Sequence, residues 1–172
     1  MNILAYKLSN ANIYINGVDL LGRAEEIDFP QIKHKMVEHK GLGMAAGAEF
    51  WAGIEKMECK ITWSSISSDI AGPVFNGIIP AAVMIRGYQQ QFAAGGLLAE
   101  FPVVAQLNGV FKETPKVSVK HQESQPAESN MSVYYYSLAI GGIPQVIVDV
   151  MANIYMVQGV DLLANFKQII GG

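Results

Sequence analysis

The residues most able to carry chemistry lie in one stretch near the N-terminus, between residues 25 and 47. Gly41, Gly43 and Ala46 have the spacing of a G-x-G-x-x-A dinucleotide loop, which needs an apolar strand before it and a helix after it. A charged run, residues 33–40 (KHKMVEHK), precedes these glycines instead, and Gly47 and Gly53 follow them. The pattern therefore does not predict a nucleotide site.

Two histidines and three carboxylates in the same stretch could in principle bind a metal or transfer protons. Zinc needs three or four ligands within tetrahedral reach, but His34 and His39 lie in a lysine-rich run with no cysteine near them. Glu25, Glu26 and Asp28 could supply a general acid and base, but their neighbours indicate a strand with an exposed face. We therefore predict no enzyme activity, no cofactor and no metal site.

The composition is that of a chain with little polar surface for its size. The 172 residues have the length of a single domain, and charged residues make up 16% of them, with a mean hydropathy of +0.24; an average soluble domain is about 25% charged. No window approaches the roughly 18 consecutive apolar residues of a membrane span. The net charge of −3 argues against sequence-independent nucleic-acid binding. A soluble, non-secreted protein with large subunit contacts is predicted.

Strand-like segments dominate the chain, which predicts a mainly β fold of antiparallel, sandwich- or barrel-like sheets with one short internal helix and a short C-terminal helix. Asn16-Gly17 predicts a hairpin turn. Residues 57–63 alternate apolar and polar, which places Cys59, the single cysteine of the sequence, on a buried face. A helix is predicted from Ser68 or Asp69 to about Gly77. Further predicted elements are a return strand at 18–29, strands at 83–92, 102–113, 116–122, 131–140 and 144–157, an exposed turn at 124–130 and a helix at 160–170.

The segment from about residue 37 to residue 55 is the most unusual part of the chain. It lies between one strand that ends at Phe29-Pro30 and another that begins near Lys56, and it has no apolar period of its own. Long loops inside compact domains are uncommon and tend to be functional or disordered. Because its large apolar side chains are costly to leave in water, we interpret it as an arm that contacts another copy of the chain. The predicted interface residues are Glu38, Gly41, Gly43, Met44, Gly47, Phe50, Trp51 and Gly53.

Three segments keep a recognisable order and spacing over nearly the whole chain. The first is the strand–Asn16-Gly17–strand unit that leads to residues 26–30 (EIDFP). The second runs from residues 37–44 (VEHKGLGM) to 53–57 (GIEKM), and the third comprises 147–150 (IVDV), 153–154 (NI) and 158–162 (QGVDL) with the tail helix. Together they resemble the major tail tube proteins of contractile-tailed bacteriophages, a family shared with phage-tail-like bacteriocins. Residues 6–11 and 80–96 depart from that pattern.

The resemblance implies a virion structural protein that self-assembles into stacked hexameric rings, the inner tube of a contractile phage tail. The strands would join a ring-wide β-barrel, and genome DNA would pass through its lumen without sequence-specific binding. Implied partners are further copies of the chain, the tail sheath protein, and baseplate and tail terminator proteins. The tail would be assembled in the bacterial host cytoplasm, and no membrane insertion is implied.

Two alternatives stay open from the sequence alone. The chain could form the tube of another contractile injection system, such as a type VI secretion apparatus or a bacteriocin. It could also be a monomeric β-barrel that binds a small ligand.

Overall fold

The computed structural model describes residues 3–121 and 126–171, in which twelve strands and two short helices follow one another. The predicted mainly β fold, with antiparallel strands, one internal helix and one C-terminal helix, is confirmed. The strands are β1 (Ala5–Ile15), β2 (Val18–Asp19), β3 (Ala24–Asp28), β4 (His34–His39), β5 (Ala48–Ile54), β6 (Met57–Trp63), β7 (Ala81–Ala93), β8 (Gly96–Glu113), β9 (Ala127–Ile140), β10 (Ile143–Asp149), β11 (Ile154–Val157) and β12 (Val160–Asp161), and the helices are α1 (Ser68–Phe75) and α2 (Ala164–Ile170).

Ten strands form one antiparallel sheet that branches at β9. The main path runs β12-β11-β10-β9-β8-β7-β1-β2, and β6 and β3 lie off it. One half of β9, residues 127–133, pairs with β6, whereas residues 135–140 pair with β10. Side chains of β1, β6, β7, β8 and β9 belong to one buried cluster together with α1, so the sheet closes over this core and then extends beyond it.

The core strand β6 shows why local patterning succeeds in this part of the chain. Its odd-numbered residues, including Cys59, are fully buried as the alternation predicts, and β3 and β9 pair with its two edges. The indole N–H of Trp63 donates a 2.9 Å hydrogen bond to Ser129 Oγ, which satisfies both polar groups inside the core. The predicted turn at Asn16-Gly17 is also confirmed: both residues have positive φ, 50° and 82°, as a two-residue type I′ turn requires.

Several other predicted elements differ from the structure. The strand predicted at 144–157 is two strands, β10 and β11, with a turn at 150–153 between them, and the helix predicted at 160–170 begins at Ala164. Residues 127–130 of the predicted exposed turn belong to β9, where Ala127 and Ser129 are buried.

The return strand predicted at 18–29 is split into β2 and β3, because Leu20 turns into the core and Gly22 adopts a φ of 74°. The strand predicted at 116–122 is wrong over the described residues, since the chain from 114 to 119 has no regular structure. One edge of β8 is paired with β9 as far as Glu113, whereas its pairing with β7 ends at Gly109. Residues 122–125, which include part of the turn predicted at 124–130, lie outside the described residues.

The segment at 37–55 was expected to be a long loop, and this expectation is wrong. Strands β4 and β5 form a separate two-stranded antiparallel hairpin. Met36 lies opposite Trp51, and Val37 lies opposite Phe50. Successive residues of a strand point to opposite faces, so each face of the hairpin carries one apolar pair, and no one-sided alternation shows in the sequence.

Candidate assembly surfaces

The hairpin formed by β4 and β5 exposes large apolar side chains on both faces. Every residue of β4 is exposed, and Phe50 and Trp51 on β5 keep 58% and 48% of their surface accessible. A two-stranded hairpin alone is marginally stable in water. Because its own chain covers so little of it, this hairpin is the clearest candidate for a surface that a partner completes.

The tip of the hairpin is built from small residues and one methionine. The Gly41 N–H lies 3.2 Å from the Met44 Sδ, and the Met44 N–H donates to the Gly41 carbonyl oxygen at 3.2 Å. Of the tip glycines Gly41, Gly43 and Gly47, Gly43 alone has positive φ, 87°. A Cβ at Gly47 would lie 2.7 Å from the carboxylate of Glu38. The tip therefore folds on itself by local contacts and leaves the flanking strands exposed.

The base of the hairpin contacts the C-terminal part of the chain. The Trp51 Nε1–H donates a 3.1 Å hydrogen bond to His34 Nδ1, and the His34 ring centroid lies 5.9 Å from that of Tyr155 on β11. A hollow of about 270 Å³ between β5 and α2 is lined by residues that include Gly53, Trp51 and Phe166. The face that carries Trp51 is thus turned toward this chain's own C-terminal segment. The sequence did not predict the contact between His34 and this segment.

The predicted interface residues therefore all lie on one hairpin and its turn. Glu38 on β4 forms an ion pair with Lys40, with 2.8 Å between Glu38 Oε1 and Lys40 Nζ, and it lies opposite Glu49 in the strand register. Gly53 lies within β5, one residue before its end. Whether these residues contact another copy stays a prediction.

Two further apolar surfaces were missed by sequence reasoning. One lies around the C-terminus, on the turn after β10 and on α2, none of whose described residues is buried. The other lies where β1, β7 and β8 extend past the core. The available signal was a set of isolated apolar residues in segments without a clear apolar period. The exposed side chains are Val150, Met151, Leu162, Phe166, Ile169 and Ile170 on the first surface, and Ile3, Leu4, Tyr6, Leu8, Leu97 and Leu98 on the second.

The long strands also present a broad face that no described element covers and that carries few charged residues. Strand register places three rows of residues on it, opposite the face that carries buried Ile13, Ile85 and Leu107. Of these residues, Arg86 alone is charged, but Asp19 on β2 and Asp149 on β10 continue the second and third rows. The rows are Asn12–Arg86–Val104–Ala139, Tyr14–Met84–Gln106–Ser137 and Ala82–Asn108–Tyr135.

Titratable groups elsewhere are engaged in structure rather than poised for reaction. Hydrogen bonds from Lys112 at 2.7 Å and Lys56 at 3.0 Å lower the pKa of Glu58 to about 2. Burial raises the pKa of the Cys59 thiol to about 12, so it is not a nucleophile at neutral pH. Burial likewise raises the pKa of Tyr136, on β9, to about 12. Among residues 3–121 and 126–171, no three His, Cys, Asp or Glu side chains cluster as metal ligands would.

No helix in the described part of the chain combines the length and the apolar character that crossing a bilayer requires.

A filled β core surrounded by uncovered apolar strands places the chain in a class of mainly β proteins with large exposed apolar surfaces. It belongs to the phage tail tube protein FII family, which matches residues 5–171. The tail tube protein of Escherichia phage P2 is 24% identical over 169 residues, which cover 96% of each chain. The resemblance to contractile-tail tube proteins is therefore confirmed.

Two solved structures are also similar. A chain of the PVC sheath/tube terminator, from an extracellular contractile injection system in the extended state, superposes with a TM-score of 0.51 and 9% identity over 75% of this chain and 92% of that one. A chain of the PVC sheath–tube complex has a TM-score of 0.49 and 10% identity over 75% and 87%. The first likeness shows a shared fold.

Proposed function

We propose that copies of this chain stack as hexameric rings into the inner tube of a contractile phage tail and that DNA is delivered through its lumen. The observation that carries the proposal is the hairpin, which exposes an aromatic residue on each face in a member of the tail tube family. The ring number rests on the family resemblance. Head-to-tail contacts that stack without closing generate filaments, and large obligate interfaces absorb about 2,000 Å² or more, which suits a chain with so many exposed apolar side chains.

The hairpin acts in this proposal as the arm between subunits of a single-domain protein, residues 1–172. Phe50 and Met44 bury their exposed surface on a neighbouring copy, while Trp51 faces α2 across the hollow at the base of the arm. This assignment is supported by the exposure of the hairpin and by its own-chain contacts, which are confined to its base.

The broad, sparsely charged face of β1, β7, β8 and β9 lines the lumen in this proposal. Duplex DNA carries one negative charge per about 1.7 Å of its axis, so a strongly basic wall would retain it by counterion release. Neutral amide and hydroxyl side chains can form hydrogen bonds with water and phosphate, but they release no counterions and so bind DNA weakly. Such side chains on this face include Asn12, Gln106, Asn108 and Ser137. One Arg86 per subunit adds a positive charge to this face, and Asp19 and Asp149 border it on β2 and β10.

The proposed partners are further copies of this chain, the sheath protein around the tube, and baseplate and terminator proteins at its ends. Assembly takes place in the host cytoplasm, and the finished protein resides in the virion. The phage tail is favoured over other contractile injection systems because the phage P2 relative matches over 96% of both chains. The filled core, with Trp63 and Phe111 fully buried, does not support a small-ligand barrel.

Negative-stain electron microscopy of the purified protein tests the assembly directly. We expect rings or tubes of uniform diameter whose abundance rises with concentration. A particle that stays monomeric by light scattering at every concentration would overturn the proposal.

The lumen assignment has its own test in assembled particles. Gln106→Lys and Asn108→Lys add positive charge to the proposed lining and should slow DNA release while tubes still form. Lys60→Gln, on the charged surface beside β9, is the control and should leave release unchanged. Normal release from particles with both added lysines would contradict the lining assignment.

A further inference from the structure

A cleft between β1 and β3 stands out because the strands on both of its sides lack a full set of partners. It has a volume of about 270 Å³ and is lined by residues 8–11 of β1 and by 24–27 of β3 with Phe29. In the described chain, β3 pairs with β6 alone, and residues 5–12 of β1 pair with β7 alone. Each of these strands therefore keeps one open edge, which natural proteins normally cover or pair.

The lining of the cleft combines apolar side chains with two like charges. Leu8, Ile27 and Phe29 provide apolar surface, and the charged lining residues are Glu25 and Glu26. Neither carboxylate forms an ion pair with a cation in the described residues. Lys60, the lysine nearest to this strand in the register, is bonded to Glu128 at 2.9 Å instead. The cleft is therefore acidic and apolar, and a complementary occupant needs a cation beside an apolar group.

One face of the hairpin has this complementary pattern. Lys35 and Val37 are two residues apart on β4 and so share a face, and Val37 lies opposite Phe50 on β5. Lys35 is exposed and forms no ion pair in the described chain, whereas Lys40 near the tip is already bonded to Glu38. The opposite face, with Trp51 and His34, is the one that contacts this chain's own C-terminal segment, so the Lys35 face is free.

We propose that the cleft between β1 and β3 receives the hairpin of a second copy of this chain. Lys35 of the incoming hairpin pairs with Glu25 and Glu26, and its Val37 and Phe50 cover the apolar lining. This inference rests on the proposed self-assembly and identifies the surface that the arm contacts. The two surfaces differ and lie on every copy, so the contact is head-to-tail and repeats from subunit to subunit.

A charge-swap series tests the contact in the full-length protein. Lys35→Glu and the pair Glu25→Lys/Glu26→Lys each place like charges together, and each should raise the concentration needed for assembly by about tenfold or more. The triple variant K35E/E25K/E26K restores opposite charges between neighbours and should assemble close to the wild-type concentration. Lys7→Glu, on the other face of β1 from Leu8, makes the same change in charge outside the cleft and should assemble normally.

The outcomes separate this inference from the proposed function. If the wild-type chain forms no rings or tubes, the proposed function fails. If the wild type assembles but the charge variants behave like Lys7→Glu, or if the triple variant is not rescued, the cleft is not the docking surface. All substituted residues are exposed, and unchanged thermal unfolding of the unassembled variants shows that they fold.

Cross-linking gives a second readout of the same contact. Lys35→Cys and Glu26→Cys in one chain, treated with a short bis-maleimide, should give a ladder of covalent oligomers, because each copy then offers one thiol to each neighbour. Cys59 is buried and does not react. Each single cysteine variant should give no ladder. If the double variant assembles but gives no ladder, the proposed contact is overturned.

Discussion

Truncating Phe50 should impair assembly while leaving the free subunit almost unchanged. A phenylalanine buries on the order of 150–200 Å² when fully covered, and this one remains 58% exposed in the subunit. Assembly can therefore bury about 100 Å² more of it. At about 25 cal/mol per Å², the lost contact amounts to about 2.5 kcal/mol, or about 60-fold in the association constant per interface.

The assay is the protein concentration at which tubes appear, measured by sedimentation and electron microscopy, with thermal unfolding of the dilute subunit alongside. Phe50→Ala should raise the assembly concentration by more than tenfold and shift the unfolding temperature by no more than a few degrees. Phe111→Leu is the matched contrast, because Phe111 is 1% exposed: it should lower the unfolding temperature and still permit assembly at low temperature. Tubes from Phe50→Ala at the wild-type concentration would refute the reasoning.

Three other predictions concern the subunit itself. A Cβ at Gly109 would overlap the carbonyl oxygen of Ser132 on β9, so Gly109→Ala should destabilise the subunit by about 3 kcal/mol or more in denaturant unfolding; Gly87→Ala, which meets the flexible end of one leucine side chain, should cost clearly less. The pKa of Glu58 is lowered to about 2 from an ordinary 4.5, so its stabilising effect is complete above pH 4.5 and lost as pH falls toward 2; Glu58→Gln should lower the unfolding temperature at pH 7 and have no effect below pH 2, and an equal effect at both would contradict the ion-pair explanation. The pKa of the Cys59 thiol, raised to about 12, predicts no alkylation of the folded subunit at pH 8 and rapid alkylation in denaturant, which mass spectrometry can follow.

Local pattern predicted the elements whose two faces differ, and missed those whose faces are alike. Residues 57–63 alternate because one face of β6 meets the core and the other meets water, and Asn16-Gly17 needs no context beyond its own backbone. The hairpin at 34–54 has an apolar pair on each face, so its strands show no alternation. The predicted strand at 116–122 is absent over the described residues, and β9 pairs with the end of β8 instead, from Asn130 opposite Glu113. That pairing joins segments that local pattern does not connect.

The exposed surfaces of the hairpin and the cleft differ in how far the sequence reveals them. Large apolar residues in a glycine-rich segment, such as Phe50 and Trp51, are visible in the sequence because their cost in water does not depend on fold. The cleft that contains Glu25 and Glu26 is not visible, because it exists only once β1 and β3 come together. Those two carboxylates were expected on an exposed strand face, and β3 does expose both of them.

The branch at β9 explains how one chain has both a filled core and so much uncovered strand. Residues 127–133 of β9 share an edge with β6, and this pairing folds a second layer over the core. That layer ends where β9 changes partner to β10, yet β1, β7 and β8 continue past it and expose residues such as Tyr6 and Leu97. In a monomer, open edges and uncovered strand faces are an aggregation hazard. In a subunit that stacks in one direction, the open edges and uncovered faces are available for contacts with other subunits. This requires that each one fits a single complementary surface on the next copy. The separation of charge between the cleft, which is acidic, and Lys35 on the hairpin provides such a restriction, because like surfaces repel and unlike surfaces pair.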